Sequence, residues 1–244
     1  MRAQPFGASP RDLSKSAAKR PFMQTKAEIE ELFRVPSPAP ANQALALDGN
    51  TLWMGSLETK RIYGVDWHQA RVFEENPAPG RPIGMCVMGD ELRVLCSENG
   101  KEDNRFIRRY IPGHGIKEND KIACPDDTGS FVAYDGDLMY LSRRFEKRIL
   151  SLDEKGNVIR VVAELPLEIT GMTIFEGCFY VAQSAGTDSG DYRITRVDAR
   201  QGTPQITHLA TVPFEARSLC YDGERFWTNQ RWEAQFVAFV IPKG

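Results

Sequence analysis

One short phrase recurs five times along the chain. The copies are Leu47-Asp48-Gly49-Asn50-Thr51-Leu52-Trp53, Met88-Gly89-Asp90-Glu91-Leu92, Tyr134-Asp135-Gly136-Asp137-Leu138-Met139-Tyr140, Phe175-Glu176-Gly177-Cys178-Phe179-Tyr180 and Tyr221-Asp222-Gly223-Glu224-Arg225-Phe226-Trp227. Each is a tight glycine turn between two apolar segments, the signature of a β-hairpin. From Gly49 through Gly89, Gly136 and Gly177 to Gly223 the steps are 40, 47, 41 and 46 residues. A unit of that length cannot bury its apolar faces alone, so the five copies must pack on one another.

Each copy reads as four strands. Strand A is short and apolar, as in Leu45-Ala46-Leu47 or Met172-Thr173-Ile174, and the glycine turn hands it to strand B, as in Leu52-Trp53-Met54 or Phe179-Tyr180-Val181. Strand C is basic and β-branched before an aspartate, as in Arg61-Ile62-Tyr63-Gly64-Val65-Asp66 and Arg148-Ile149-Leu150-Ser151-Leu152-Asp153. Strand D is followed by Pro77, Pro125, Pro166 or Pro213, residues with no N–H to offer a further ladder partner. Four strands at this period predict a five-bladed β-propeller. The last copy ends after Phe236-Val237-Ala238-Phe239-Val240 with no strand D, whereas Ile29 to Val35 ahead of Pro36 has no strands A to C. The N-terminal segment is therefore expected to complete the last blade and close the ring. Residues 1–26 read as a disordered basic tail, and 27–244 as one propeller domain. Its blades fall at about 44–83, 84–129, 130–170, 171–217, and 218–244 plus 27–43.

The 244 residues are 41% apolar and 26% charged, with no run of about 18 apolar residues that would span a bilayer. The N-terminus lacks an apolar secretory core, and the five cysteines (86, 96, 124, 178, 220) contain no CxxC pair. A cytoplasmic, monomeric protein with reduced, buried thiols is expected. The net charge of −2 divides into +5 over residues 1–26 and −7 over the rest. Such a tail can meet nucleic acid, but its Ser, Ala, Gly and Pro content fits disorder, and neither nucleic acid nor membrane is an expected partner.

In a propeller, the loops from strand D to the next strand A and from B to C meet at one mouth of the central channel. Taking Leu45, Met85, Phe131, Met172 and Leu219 as equivalent, the residue before each is small: Ala44, Gly84, Ser130, Gly171 and Ser218. Four residues before stand Ala41, Arg81, Asp127, Glu168 and Glu215, and two before stand Gln43, Ile83, Gly129, Thr170 and Arg217. Asp127, Glu168 and Glu215 offer the oxygens a hard cation such as Ca²⁺ or Mg²⁺ takes. Arg81, Arg143 and Arg217 offer forks for anionic groups. The B–C loops add Trp232, which has no counterpart in other repeats, and the run Asp188-Ser189-Gly190-Asp191, which has calcium-loop character without the EF-hand spacing.

These repeats resemble the broad β-propeller group that includes streptogramin-lyase-like, NHL-like and SMP-30-like proteins, in which similar hairpins recur. The resemblance covers about residues 28–241 and implies a channel-mouth site. Streptogramin lyases use a histidine there, but His68, His114 and His208 all fall away from the aligned mouth positions. SMP-30-like lactonases use Glu and Asn-type metal ligands, which Glu168 or Glu215 with Asn99, Asn104 or Asn229 would have to supply; the Glu-Gly-Pro phrase is absent. Five-bladed glycoside hydrolases use two Asp and one Glu from separate blades, which Asp127, Glu168 and Glu215, one Asp and two Glu, echo only loosely. Two functions are expected to compete. One is binding of a small polar ligand at the mouth, with a divalent ion and with lyase or hydrolase chemistry. The other is a non-catalytic protein-interaction scaffold using the same face.

Overall fold

The computed structural model describes residues 27–99, 104–186 and 190–242. Strand β1 (Glu30–Pro36) comes first. Blade 1 follows as β2 (Asn42–Asp48), β3 (Thr51–Ser56), β4 (Arg61–Asp66) and β5 (Arg71–Pro77), and blade 2 as β6 (Arg81–Met88), β7 (Glu91–Ser97), β8 (Arg105–Ile111) and β9 (Gly115–Ala123). Blade 3 is β10 (Phe131–Tyr134), β11 (Met139–Arg143), β12 (Arg148–Leu152) and β13 (Val158–Glu164). Blade 4 is β14 (Glu168–Phe175), β15 (Cys178–Ser184), β16 (Tyr192–Asp198) and β17 (Gln205–Val212). Blade 5 has β18 (Ala216–Tyr221), β19 (Phe226–Gln230) and β20 (Gln235–Val240), and takes its fourth strand from β1 in the order β1-β20-β19-β18. All pairings within the blades are antiparallel, and the inner strands touch in the cycle β2, β6, β10, β14, β18, β2. The fold is a five-bladed β-propeller closed by its N-terminal strand, as the repeat predicts. Among the described residues, no helix is long and apolar enough to cross a membrane.

The repeated phrase works through its aspartate as well as its glycine. All five turn glycines have positive φ, from 53° at Gly49 to 103° at Gly136, a region side-chain-bearing residues rarely enter. In blade 5 the Asp222 carboxylate accepts the backbone N–H groups of Glu224 and Arg225 and, at 2.9 Å, the Nε1–H of Trp227 on β19. Asp135 does the same for Asp137, Leu138 and the Tyr140 hydroxyl. The turn thereby satisfies the polar edge of the ring that fills the blade core.

The core is divided among the seams between blades. Each seam holds one apolar cluster: Trp53 and Ile62 against Leu92 and Val94 between blades 1 and 2, for example, and Leu52 and Met54 against Trp227 and Phe236 between blades 1 and 5. All five cysteines are free and buried, and burial pushes the thiols of Cys86, Cys96 and Cys124 up to about 12. Near the axis two of the small residues before the inner strands' apolar runs, Gly84 and Gly171, are required sterically. A Cβ on Gly171 would lie 2.4 Å from the carbonyl carbon of Ser218 in the next blade, and one on Gly84 2.7 Å from the carbonyl oxygen of Ser130. Gly171→Ala is therefore expected to cost at least about 1–3 kcal/mol, read from urea denaturation, because backbone must move to admit the methyl.

Inner strands begin earlier than their apolar runs suggest. Asn42, Arg81 and Glu168 already belong to β2, β6 and β14, and register slips fall between Asn42 and Ala44, Pro82 and Gly84, Ile169 and Gly171, and Arg217 and Cys220. A β-bulge thus recurs near the mouth end of four inner strands, with Gln43, Ile83 and Thr170 as the extra residues. Bulges re-aim side chains.

Candidate functional site

At the mouth formed by the D–A connections and B–C turns lies a cavity of about 180 Å³. Four guanidinium groups line it: Arg81 at the start of β6, Arg105 at the start of β8, Arg144 after β11 and Arg231 after β19. Leu57, Ile83, Phe131 and Phe145 form its apolar wall, and Gln43, Ser97 and Ser130 contribute neutral polar groups. Among the described residues, no carboxylate lines this cavity. The bulged positions Gln43 and Ile83 both face it, which is what the slipped register accomplishes.

The carboxylates of this region serve the arginines. Arg144 donates from Nε to Glu168 Oε2 at 2.9 Å, a contact from the B–C turn of blade 3 to the first residue of blade 4's inner strand. Arg217, 1% exposed, donates to Glu215 Oε1 from Nε at 2.6 Å and from Nη2 at 2.5 Å, and its Nη1 is buried without a hydrogen-bond partner. Arg231 Nη1 stands 3.8 Å from the same Glu215 oxygen, and its Nε is buried and unpartnered. Burial, then the positive charge of Arg217, outweigh the attraction of Glu215; with Arg144 also repelling it, Arg231 is held down to about 10. It is still a cation at pH 7, in surroundings that carry more positive than negative charge. Arg105 donates to the Gly129 carbonyl, bracing the mouth across the seam between blades 2 and 3.

The predicted site residues fare differently. Arg81 lines the cavity, and Arg217 lies buried beside Arg231 and Glu215. Arg143 is engaged elsewhere, donating to Glu146, to Asp126 Oδ2 at 2.6 Å and to the Pro125 carbonyl, so that it ties its turn to the 3₁₀ turn Pro125–Asp127. Asp127 is exposed at the end of that turn, and its carbonyl accepts the Asn104 N–H. Trp232 is 80% exposed on the β19–β20 turn and lines no part of the cavity; contrary to expectation it has a counterpart, Phe145, at the same position of the β11–β12 turn. Asp127, Glu168 and Glu215 do not come together: among the described residues, no three His, Cys, Asp or Glu side chains form a group that could hold a metal ion. The three do not supply the several oxygens that Ca²⁺ or Mg²⁺ requires, because two of them are spent on arginines and the third points to solvent. Asp188 and Ser189 of the Asp188 to Asp191 run lie outside the described residues. His68 and His114 sit in C–D turns at the opposite face, and His208 is on the outer strand β17.

Arg105 and Phe145 are among the mouth residues that sequence reasoning missed. Arg105 matches Arg61 in the repeat, each paired in register with a serine of strand B. Arg61 turns outward to Glu75 at 2.5 Å, whereas Arg105 is 8% exposed at the cavity wall. Arginine in strand C is thus a repeat feature whose direction only the packing reveals.

No protein-family model matches the chain, and no curated protein matches it in sequence. Solved structures do match in shape. A glutaminyl cyclase from Myxococcus xanthus shares 10% identity at a TM-score of 0.69, covering 89% of this chain and 98% of that one. A PQQ-bound aldose sugar dehydrogenase from Streptomyces coelicolor shares 12% identity at 0.58, covering 89% and 98%. A nidogen/laminin complex structure shares 16% identity at 0.52, covering 79% and 73%. These neighbours include enzymes and an interaction complex. At such identities the likeness is one of fold, and a propeller hosts many unrelated functions.

Proposed function

We propose that this propeller binds a small organic anion at its channel mouth. The observation that carries the reading is the imbalance at the cavity: among the described residues four arginines line it and no carboxylate does, and Arg231 retains donor capacity. A guanidinium fork is the side chain best matched to a planar carboxylate. The cavity, about 180 Å³, is below the roughly 300–1,000 Å³ of drug-sized sites, which favours a small metabolite. Its apolar wall of Ile83, Phe131 and Phe145 favours a carbon skeleton over a bare inorganic ion.

Calorimetric titration with short-chain carboxylates and their neutral amides tests this. The acids are expected to bind and the amides to bind at least about tenfold more weakly, the worth of one charge-assisted hydrogen bond. Arg231→Gln should weaken acid binding by a similar factor. Equal binding of acid and amide, or no binding of either, would sink the reading.

A second reading, a protein-docking face, is favoured by Trp232 at 80% exposure and Phe145 at 64%, both on B–C turns of the mouth side. Tryptophan and arginine are frequent anchors at interfaces. The readings separate on Trp232→Ala, which leaves small-anion affinity unchanged if the cavity alone is the site.

A further inference from the structure

Resting on the anion-binding reading, the geometry of the mouth specifies the ligand further. The arginines there are not equivalent. Arg144 is committed to Glu168, Arg217 to Glu215, and Arg105 to the Gly129 carbonyl. The side chain of Arg81 forms no hydrogen bond or ion pair with any described residue, and Arg231 has its nearest carboxylate oxygen at 3.8 Å with its Nε unpartnered. These two line the same cavity. Arg81 opens the inner strand of blade 2, and Arg231 lies on the B–C turn of blade 5. Blade 1 stands between those blades in the ring, so the two guanidiniums reach the cavity from separate sides rather than as a pair on one element.

A ligand with two anionic groups can offer one to each of them. The same cavity is lined by the apolar side chains of Ile83 and Phe131 and by Gln43, 5% exposed with its amide oxygen unpartnered. We propose that the ligand is a dicarboxylate: two carboxylates on a short, largely apolar stem, one held by Arg81 and the other by Arg231. The stem rests on Ile83 and Phe131, where a charged or heavily hydrated middle would lose solvation without return.

The test is calorimetry on the full chain with malonate, succinate, glutarate and adipate, each beside the monocarboxylate of equal carbon number, on wild type, Arg81→Gln and Arg231→Gln. One chain length of diacid should bind at least about tenfold more tightly than its monoacid. Each variant should reduce that diacid to the monoacid level. Arg81 is exposed, so its replacement leaves the thermal transition in place, and melting of each variant verifies that the fold persists. If diacids and monoacids bind alike and Arg231→Gln weakens both, the dicarboxylate inference falls and the anion site stands. If no acid binds, both fall.

Discussion

Removing residues 1–38 is expected to abolish cooperative unfolding, and adding a peptide of residues 27–38 in trans is expected to restore it. The segment stitches three blades. Ile29 is 5% exposed in the seam between blades 4 and 5, donates its N–H to the Thr211 carbonyl at 2.9 Å, and the Thr211 N–H returns to the Ala27 carbonyl at 3.0 Å. Strand β1 then pairs with β20 from Glu30 against Val240 to Pro36 against Gln235. Phe33 lies 5.4 Å from the Trp227 ring of blade 5 and 5.8 Å from Trp67 in the C–D turn of blade 1, and Arg34 reaches Glu233 at 2.5 Å. Burying Ile29 and Val35 at about 1.5–3 kcal/mol each, with Phe33 half-buried beside them, gives a contribution that is a large fraction of the stability of a typical domain, about 5–15 kcal/mol. Without β1 the backbone of β20 becomes an unpaired edge above Phe236 and Ala238, an invitation to aggregation. Thermal melting by circular dichroism decides the matter. A truncated chain that melts within a few degrees of the intact one would show that the ring closes without its fourth strand.

That closure was legible in the sequence because it rests on arithmetic along the chain: a last repeat lacking a strand and a first segment lacking its repeat. The five glycines were legible for a similar reason, since a positive φ in a tight hairpin demands glycine whatever surrounds it. The mouth positions were found as well; Arg81, Glu168 and Glu215 stand at or next to the start of inner strands. What each charge does there was not legible. Glu168 meets Arg144, 24 residues back and in another blade, and nothing in the spacing announces that pair. Three aligned carboxylates therefore suggested a metal site, while the folded chain spends two of them on arginines. The bulges were hidden too. They add one residue near the mouth end of inner strands, and a period-2 pattern of four or five residues is too short to reveal the slip.

Glu215→Gln is expected to destabilise the protein by about 3–5 kcal/mol, because it leaves Arg217, 1% exposed, as a buried cation without its counter-ion. For a chain of this size that corresponds to a fall in Tm on the order of 10 °C. The same substitution removes the carboxylate nearest Arg231, so the mouth becomes more cationic and its affinity for a monocarboxylate should rise while stability drops. The double variant Glu215→Gln with Arg217→Met tests the cause. Replacing both members of a buried pair by groups of similar volume is often close to neutral, so most of the lost stability should return. If Glu215 merely packed, the double variant would be no more stable than the single one. Opposite movement of stability and anion affinity in the single variant, with stability recovered in the double, would mean that Glu215 restrains the positive charge of the mouth for the sake of the fold, and that the remaining charge on Arg231 is what a ligand meets.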